Sequence, residues 1–210
     1  MRRLLILLAV PVALLAAADY GVRLYSQSVV GDEVRSALGL SEKPSVHFGG
    51  WPFTPHLLSG DLPSATFTAD TFAANGVQLR SVSVELDDVK FPSSRLITGG
   101  GGKIRAARGQ GTAVLTGADI TDALRRSGLP LTVTISDGRA SVAAKGITVG
   151  LDVQLQGSAL LLTPAAARIA SARLPLPSIV QGLRFTSLKL DGSEAVVSFA
   201  LRHVVFVVPS

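Results

Sequence analysis

The sequence contains no cysteine, so no disulfide, thiol ligand or thiol-linked lipid can hold this chain together or fix it to a membrane. Packing alone has to stabilise it. Aromatic residues are also scarce, at 5% with a single Trp, so a core must be assembled mainly from Ala, Val, Leu and Ile. Charged residues make up 17%, below the roughly 25% usual for soluble domains. So few charges cannot cover a whole surface, and some apolar surface must be in use. The net charge is +5, of which Arg2 and Arg3 supply two; the remaining basic residues are scattered, unlike the clustered footprint of a nucleic-acid binder. Nucleic acid is therefore not an expected partner.

Catalytic signatures are missing as well. The three His form neither His-x₃-His nor His-Glu-x-x-His, so no zinc site is expected. No Gly-x-Ser-x-Gly elbow occurs, and nothing marks a Ser and an Asp that would join His47, His56 or His203 in a triad. The run Gly99–Gly102 fails as a phosphate loop because Ile97 and Ile104 stand where Gly and Ser or Thr are needed; it reads as a flexible loop. Gly109-Gln110-Gly111 continues to Val114 rather than to Gly or Ala, so the dinucleotide fingerprint fails too. Asp87 and Asp88 are neighbours in a strand pattern, which sends them to opposite faces instead of pairing them as acid and base. The sequence thus predicts a non-enzyme, with no catalytic residue, no metal and no cofactor.

The N-terminus carries a positive region, Met1-Arg2-Arg3, and then an apolar run from Leu4 to Ala18. Fifteen helical residues span about 22 Å, short of the ~30 Å hydrocarbon core, which fits a signal sequence better than a complete span. Ala16-Ala17-Ala18 provides a small-residue cleavage site before Asp19, while the apolar pattern continuing to Val22 would suit an uncleaved anchor. Both readings place the rest of the chain outside the plasma membrane, by the positive-inside rule. The expected division is 1–18 as signal peptide or signal anchor and 19–210 as one domain. From Asp19 to Leu38, Val22, Tyr25, Val29 or Val30, Val34 and Ala37 or Leu38 recur at helical steps, predicting an amphipathic helix that Gly39 ends and whose stripe lies across a sheet.

Between this helix and the strands lies Val46–Gly60, which holds the only Trp, two Phe, two Pro and two of the three His. Pro52 and Pro55 withhold ladder donors, so no central strand runs through it and its apolar side chains are presented from a bend. Trp51 and Phe53 are either core residues or the rim of a lipid mouth at a membrane interface. Beyond it, alternation appears from Ser64 to Asp70, and from Val77 onward with a shift of phase at Arg80-Ser81 that predicts a bulge. A strand follows from Lys103 to Thr116, then a short helix with Asp119 near its start and Arg125 and Arg126 near its end. Leu131–Ser136, Val142–Ala144 around Asp137-Gly138, the strict alternation Ile147–Gln156, and a closing hairpin of Arg184–Leu190 with Glu194–Leu201 complete about eight strands. A helical turn is expected within Ser178–Leu183. The fold class is α+β: a long curled antiparallel β-sheet wrapped on a long N-terminal amphipathic helix, enclosing an apolar trough that small side chains leave unfilled.

Several of these features together resemble one family: the leader with Arg2-Arg3, the helix ending Leu38-Gly39-Leu40, Gly50-Trp51-Pro52-Phe53 followed by Leu57-Leu58-Ser59-Gly60, and the Ala118–Leu124 helix. It is the actinobacterial envelope family of the mycobacterial lipomannan elongation factor, where Phe usually stands in place of Trp51. The resemblance implies a fold similar to the tubular lipid-binding superfamily (TULIP-like), an extracytoplasmic location and binding of phospholipid, phosphoinositide-type lipids among the candidates. The expected function is an envelope lipid-binding or lipid-transfer protein holding acyl chains in its trough and supporting lipomannan-type glycolipid assembly. A membrane-tethered scaffold without enzymatic activity is the alternative. The residues assigned to lipid are Trp51, Phe53, Leu57, Leu58, Phe67, Leu79, Val133 and Ile135. Expected partners are phospholipid or glycolipid, the membrane surface and proteins of envelope assembly.

Overall fold

A computed structural model describes residues 2–74, 76–93, 102–144, 146–165, 170–177 and 182–208. Most of the Gly99–Gly102 loop and of the Ser178–Leu183 segment lies outside these residues. The chain opens with helix α1 (Arg2–Leu38), which runs unbroken through Ala16–Asp19 and at ~1.5 Å per residue is about 55 Å long. Among the described residues no helix is long and apolar enough to cross a membrane. Strand β1 (Ser45–Phe48) leads into helix α2 (Phe53–Ser59). Two long strands, β2 (Asp61–Ala74) and β3 (Val77–Lys90), and a third, β4 (Gly102–Thr116), precede helix α3 (Gly117–Arg126). Then come β5 (Thr132–Ser136), β6 (Arg139–Ala144), β7 (Ile147–Gln156), β8 (Ala159–Pro164) and β9 (Ala172–Pro175), and finally the hairpin of β10 (Leu183–Asp191) and β11 (Glu194–Val208).

The strands form two antiparallel sheets instead of one. Sheet A has the order β1-β2-β3-β4-β11-β10 and sheet B the order β5-β6-β7-β8-β9. Neither closes into a barrel, and the class is α+β with a long N-terminal helix. Eleven strands among the described residues exceed the eight expected because β1 is only four residues long and β8 and β9 carry Pro and weak alternation, so none of the three stands out in sequence. The bulge expected near Arg80-Ser81 is present: Ser81 has φ +45° and the β3–β4 register shifts between Arg80 and Ser83.

A second irregularity crosses four strands. Asp88 and His203 both have positive φ, and a rung is missing at Pro63, Asp88, Ala107 and His203. On all four strands the buried residues on either side are three apart, Leu62 and Ala65, Leu86 and Val89, Ala106 and Gly109, Leu201 and Val204. Strict alternation would space them by two or four, so each strand kinks at the same level. Kinks in line across neighbouring strands act as a crease, and with the Ser81 bulge, about 23 Å away along β3, they curl the sheet.

The Val46–Gly60 stretch corrects the sequence reading in part. Its second half is a helix rather than an open bend: Pro52 stands at the N-cap, Pro55 falls in the first turn where backbone N–H groups lack helical acceptors anyway, and Gly60 at φ +72° ends it. The Trp51–Pro52 peptide bond is cis.

Helix α1 also docks differently from expectation. It packs on β1 and α2, at one edge of sheet A. Of the predicted stripe, Val22, Tyr25, Val29 and Leu38 are exposed. The side turned to the protein is mixed: Asp19, Arg23, Ser26 and Gln27, then Gly31 with Val30 and Val34, the two members of the expected stripe that do face inward. Hydrogen bonds set this orientation. Asp19 accepts from the N–H groups of Phe53 (2.8 Å) and Thr54 (2.6 Å), Arg23 donates to the Phe48 carbonyl, and Lys43 bridges Asp32 (2.8 Å) and Ser28 (2.9 Å). Periodicity alone does not reveal such partners.

Helix α3 joins the two sheets. Thr116 and Asp119 form a reciprocal capping box at its start, and Asp119 receives a two-pronged hydrogen bond from Arg80 of β3, at 2.8 and 3.0 Å. Thr121 ties the other side, donating to the Gly117 carbonyl and accepting from the Val133 N–H of β5. Burial pushes the Asp119 carboxyl upward, but the Arg80 guanidinium and the Thr116 hydroxyl and N–H outweigh it, leaving its pKa below the ordinary 3.8.

Candidate lipid-binding face

The register of sheet A sorts its side chains with little ambiguity. One rung joins Val46, Phe67, Val84, Gly111, Phe199 and Phe185 across all six strands; the rung two residues along joins Phe48, Ala65, Leu86, Gly109, Leu201 and Leu183. Residues on a shared rung lie on one face, so this face is apolar from edge to edge. The intervening rung is His47, Thr66, Glu85, Gln110, Ala200 and Arg184, and the one beyond is Thr68, Ser83, Thr112, Ser198 and Ser187. These form the polar outer face, where Gln110 donates to Glu85 at 3.1 Å. At ~4.8 Å between strands, each apolar rung runs about 24 Å across the sheet.

The inner face is closed at its ends and less so in between. At the β1 edge, Phe53 is fully buried and its ring stacks on Phe48, centroids 5.6 Å apart at 6°. Near the opposite ends of β3 and β4, α3 packs over Leu79 and Leu115. Between them Phe67, Val84 and Phe185 are only half-buried although all three are apolar. Phe185 meets Phe199 edge-on at 6.2 Å. Gly111 is required under that pair, because a Cβ there would lie 2.5 Å from the Phe199 ring and 2.4 Å from the Ser83 carbonyl. With glycine in place the Phe199 ring lies close against the sheet. The half-buried row is an apolar, uncharged strip.

The residues assigned to lipid from sequence fall into three places. Phe67 is on this strip. Leu79 is buried under the α3 end, and Phe53 is a core residue stacked on Phe48. Val133 and Ile135 line a separate shallow cleft of about 400 Å³ between α3 and β5, with Thr121 and Arg125 opposite. Trp51 and Leu58 are 76% and 62% exposed and Leu57 is half-buried, all on or beside α2. The structure therefore does not gather the eight into one site. Sequence reasoning missed Val84, Gly111, Phe185 and Phe199; the available signal was the Gly-x-Gly of β4 together with Phe-rich alternation in the closing hairpin. Asp88 sits at the crease with Arg108 3.8 Å away, apart from any apparent chemistry. Among the described residues, no group of three or more His, Cys, Asp or Glu is placed to hold a metal ion.

An apolar, uncharged face on a creased sheet suits hydrocarbon better than a polar ligand. The sequence profile of the LmeA-like phospholipid-binding family matches residues 17–203. The chain belongs to the LmeA-like phospholipid-binding family. No curated protein and no solved structure matches it. The match covers α1 from just before Asp19 and continues to His203 in β11, so both sheets and the docking of α1 lie inside the family's extent. The family is described by binding rather than by catalysis, which agrees with the absence of catalytic signatures in the sequence. Phospholipid is thus the ligand class of the family, and the apolar inner face of sheet A is the candidate surface for its acyl chains.

Proposed function

We propose that the protein is a non-enzymatic lipid carrier or lipid-holding module on the extracytoplasmic side of the plasma membrane, where it supports glycolipid assembly of the lipomannan type. The observation that carries the lipid reading is the row of half-buried Phe67, Val84 and Phe185 beside buried Phe199 over Gly111, apolar across the sheet while the reverse face is polar. Each acyl methylene taken from water contributes about 0.8 kcal/mol. Ten methylenes on this strip would supply about 8 kcal/mol, more than one or two exposed headgroup ion pairs. Selectivity then resides mainly in the acyl chain. The location rests on Arg2-Arg3 followed by Leu4–Ala18.

The test is native mass spectrometry of the full chain released gently from membranes, with bound lipids extracted and identified. Phospholipid at one or two molecules per chain is expected. Lipid-free protein from a lipid-rich host would end the proposal. Trp51→Ala separates this from the scaffold reading: Trp51 lies outside the strip, so the variant should keep its lipid, and a lost protein partner in that variant would favour the scaffold.

A further inference from the structure

Basic residues that are scattered along the sequence are brought together by the fold. Lys103, Arg105 and Arg108 of β4, Arg202 of β11 and Arg184 of β10 are all exposed on the outer face of sheet A, at and beside the crease. The crease itself crowds them: where alternation breaks, Arg108 and Arg202 each stand in a pair of exposed residues, with Ala107 and His203. Arg202 lies directly opposite Arg108, Arg105 directly opposite Lys90, and Arg184 diagonally from Arg202. Opposite residues have Cβ atoms about 5 Å apart, and like charges in that relation destabilise a sheet. Acidic residues do not offset them. β4 contains none, and those of β10 and β11 are Asp191 and Glu194 at the far hairpin, Glu194 being about 26 Å from Arg202 at ~3.3 Å per residue. Among the described residues Arg108 alone of the five forms an ion pair, with Asp88 at 3.8 Å. Arg105, Arg184 and Arg202 have nothing acidic opposite them on a neighbouring strand.

We propose that the outer face of β4, β11 and β10 at the crease is a docking surface for the anionic headgroups of a phospholipid bilayer. The choice of partner rests on the lipid reading of sheet A above. Charge complementarity is the first argument: phosphate is the group that guanidinium side chains hold best, by paired hydrogen bonds, and a surface of phosphates relieves the repulsion among several Arg at once. Continuity is the second. β10 is the last strand of sheet A, and while Arg184 faces outward, its neighbours Leu183 and Phe185 are half-buried on the apolar inner face. A bilayer held against the patch is therefore beside an edge that leads to the candidate acyl surface, whereas the opposite edge, at β1, is covered by α1 and α2. A nucleic acid or an acidic protein would meet the same charges but has no use for that edge.

The sequence has no cysteine, so Ala107→Cys gives the full chain a sole thiol in the middle of the patch. A nitrobenzoxadiazole label there is read with phosphatidylcholine vesicles, with phosphatidylcholine–phosphatidylglycerol vesicles, and with the latter carrying a nitroxide on the headgroup. Reading the label keeps the result independent of any hold that Leu4–Ala18 has on the vesicle. Expected are a brighter, blue-shifted emission and nitroxide quenching with phosphatidylglycerol only, both lost in about 1 M salt, where the Debye length is ~3 Å. Each Lys or Arg near an anionic surface contributes about fivefold, so Arg105→Gln, Arg184→Gln and Arg202→Gln together should weaken docking about 100-fold. Thermal unfolding of this triple variant should not fall, because repulsion is removed; a fall would mark the three as structural and overturn the proposal. A water-like label with both kinds of vesicle overturns it, as does an equal response to pure phosphatidylcholine or an unchanged response in the triple variant. A response to single-stranded RNA but not to vesicles overturns it in favour of that partner. The same proteins are loaded with phospholipid from detergent and assayed for lipid that stays through gel filtration, which should be equal in parent and triple variant. Lipid retained with a silent label removes the docking alone, whereas a responding label with no retained lipid supports the docking and removes the carrier function.

Discussion

Filling the inner strip is the most direct perturbation of the carrier function. Val84 is half-buried and sits on the apolar rung between Phe67 and Gly111. Val84→Trp would occupy the space of about three acyl methylenes. At about 0.8 kcal/mol each that removes about 2.4 kcal/mol of binding, or about 60-fold in Kd. Because the site is only half-covered, overpacking should cost little, below the ~1–3 kcal/mol typical of a closed core. The assay is displacement of a fluorescent phospholipid by detergent-solubilised lipid, with thermal unfolding as a control on the fold. A variant that folds normally and binds lipid as tightly as the parent would refute the assignment of this strip. A matching loss in a variant of the α3–β5 cleft, such as Val133→Trp, with no effect of Val84→Trp would move the site there.

Other expectations follow from the same geometry. Phe53→Ala should destabilise the fold by about 3–5 kcal/mol in urea unfolding, since a fully buried stacked ring is removed, while Trp51→Ala should stay within about 0.5 kcal/mol. Asp119→Ala should cost about 1–2 kcal/mol, a value reduced because Arg80 is partly exposed to solvent. The folded-state pKa of Asp119 lies below its ordinary value of 3.8, so its contribution is complete above about pH 5 and is lost as pH falls through that lowered pKa; Asp119→Asn should flatten the acid limb of the stability profile. Lipid affinity should change little between low and high salt, because the strip carries no charge; a steep salt dependence in the displacement assay would point instead to headgroup ion pairs.

Much of the fold is legible in the residue order because its signals are local. The alternations of Ile147–Gln156 and of the closing hairpin, the Asp137-Gly138 turn, the bulge near Ser81 and the α3 capping box each depend on neighbours a few residues apart. Phe67 belongs to the inner strip for that reason: alternation tells which side chains share a face. Val84 and Phe199 alternate just as clearly, yet nothing local says that they meet over Gly111.

The sequence by itself determined most of the secondary structure and the division of the long strands into an apolar and a polar side. Tertiary structure alone decided which strands became neighbours, and so which apolar sides joined into one strip. It also decided that four separate kinks fall on one line, and that α1 turns Asp19 and Arg23 inward. The physical reason is distance along the chain. A side chain's face follows from the backbone period at its own position, whereas a crease, a shared rung or a carboxylate capping a helix more than thirty residues away exists only once remote segments are placed side by side.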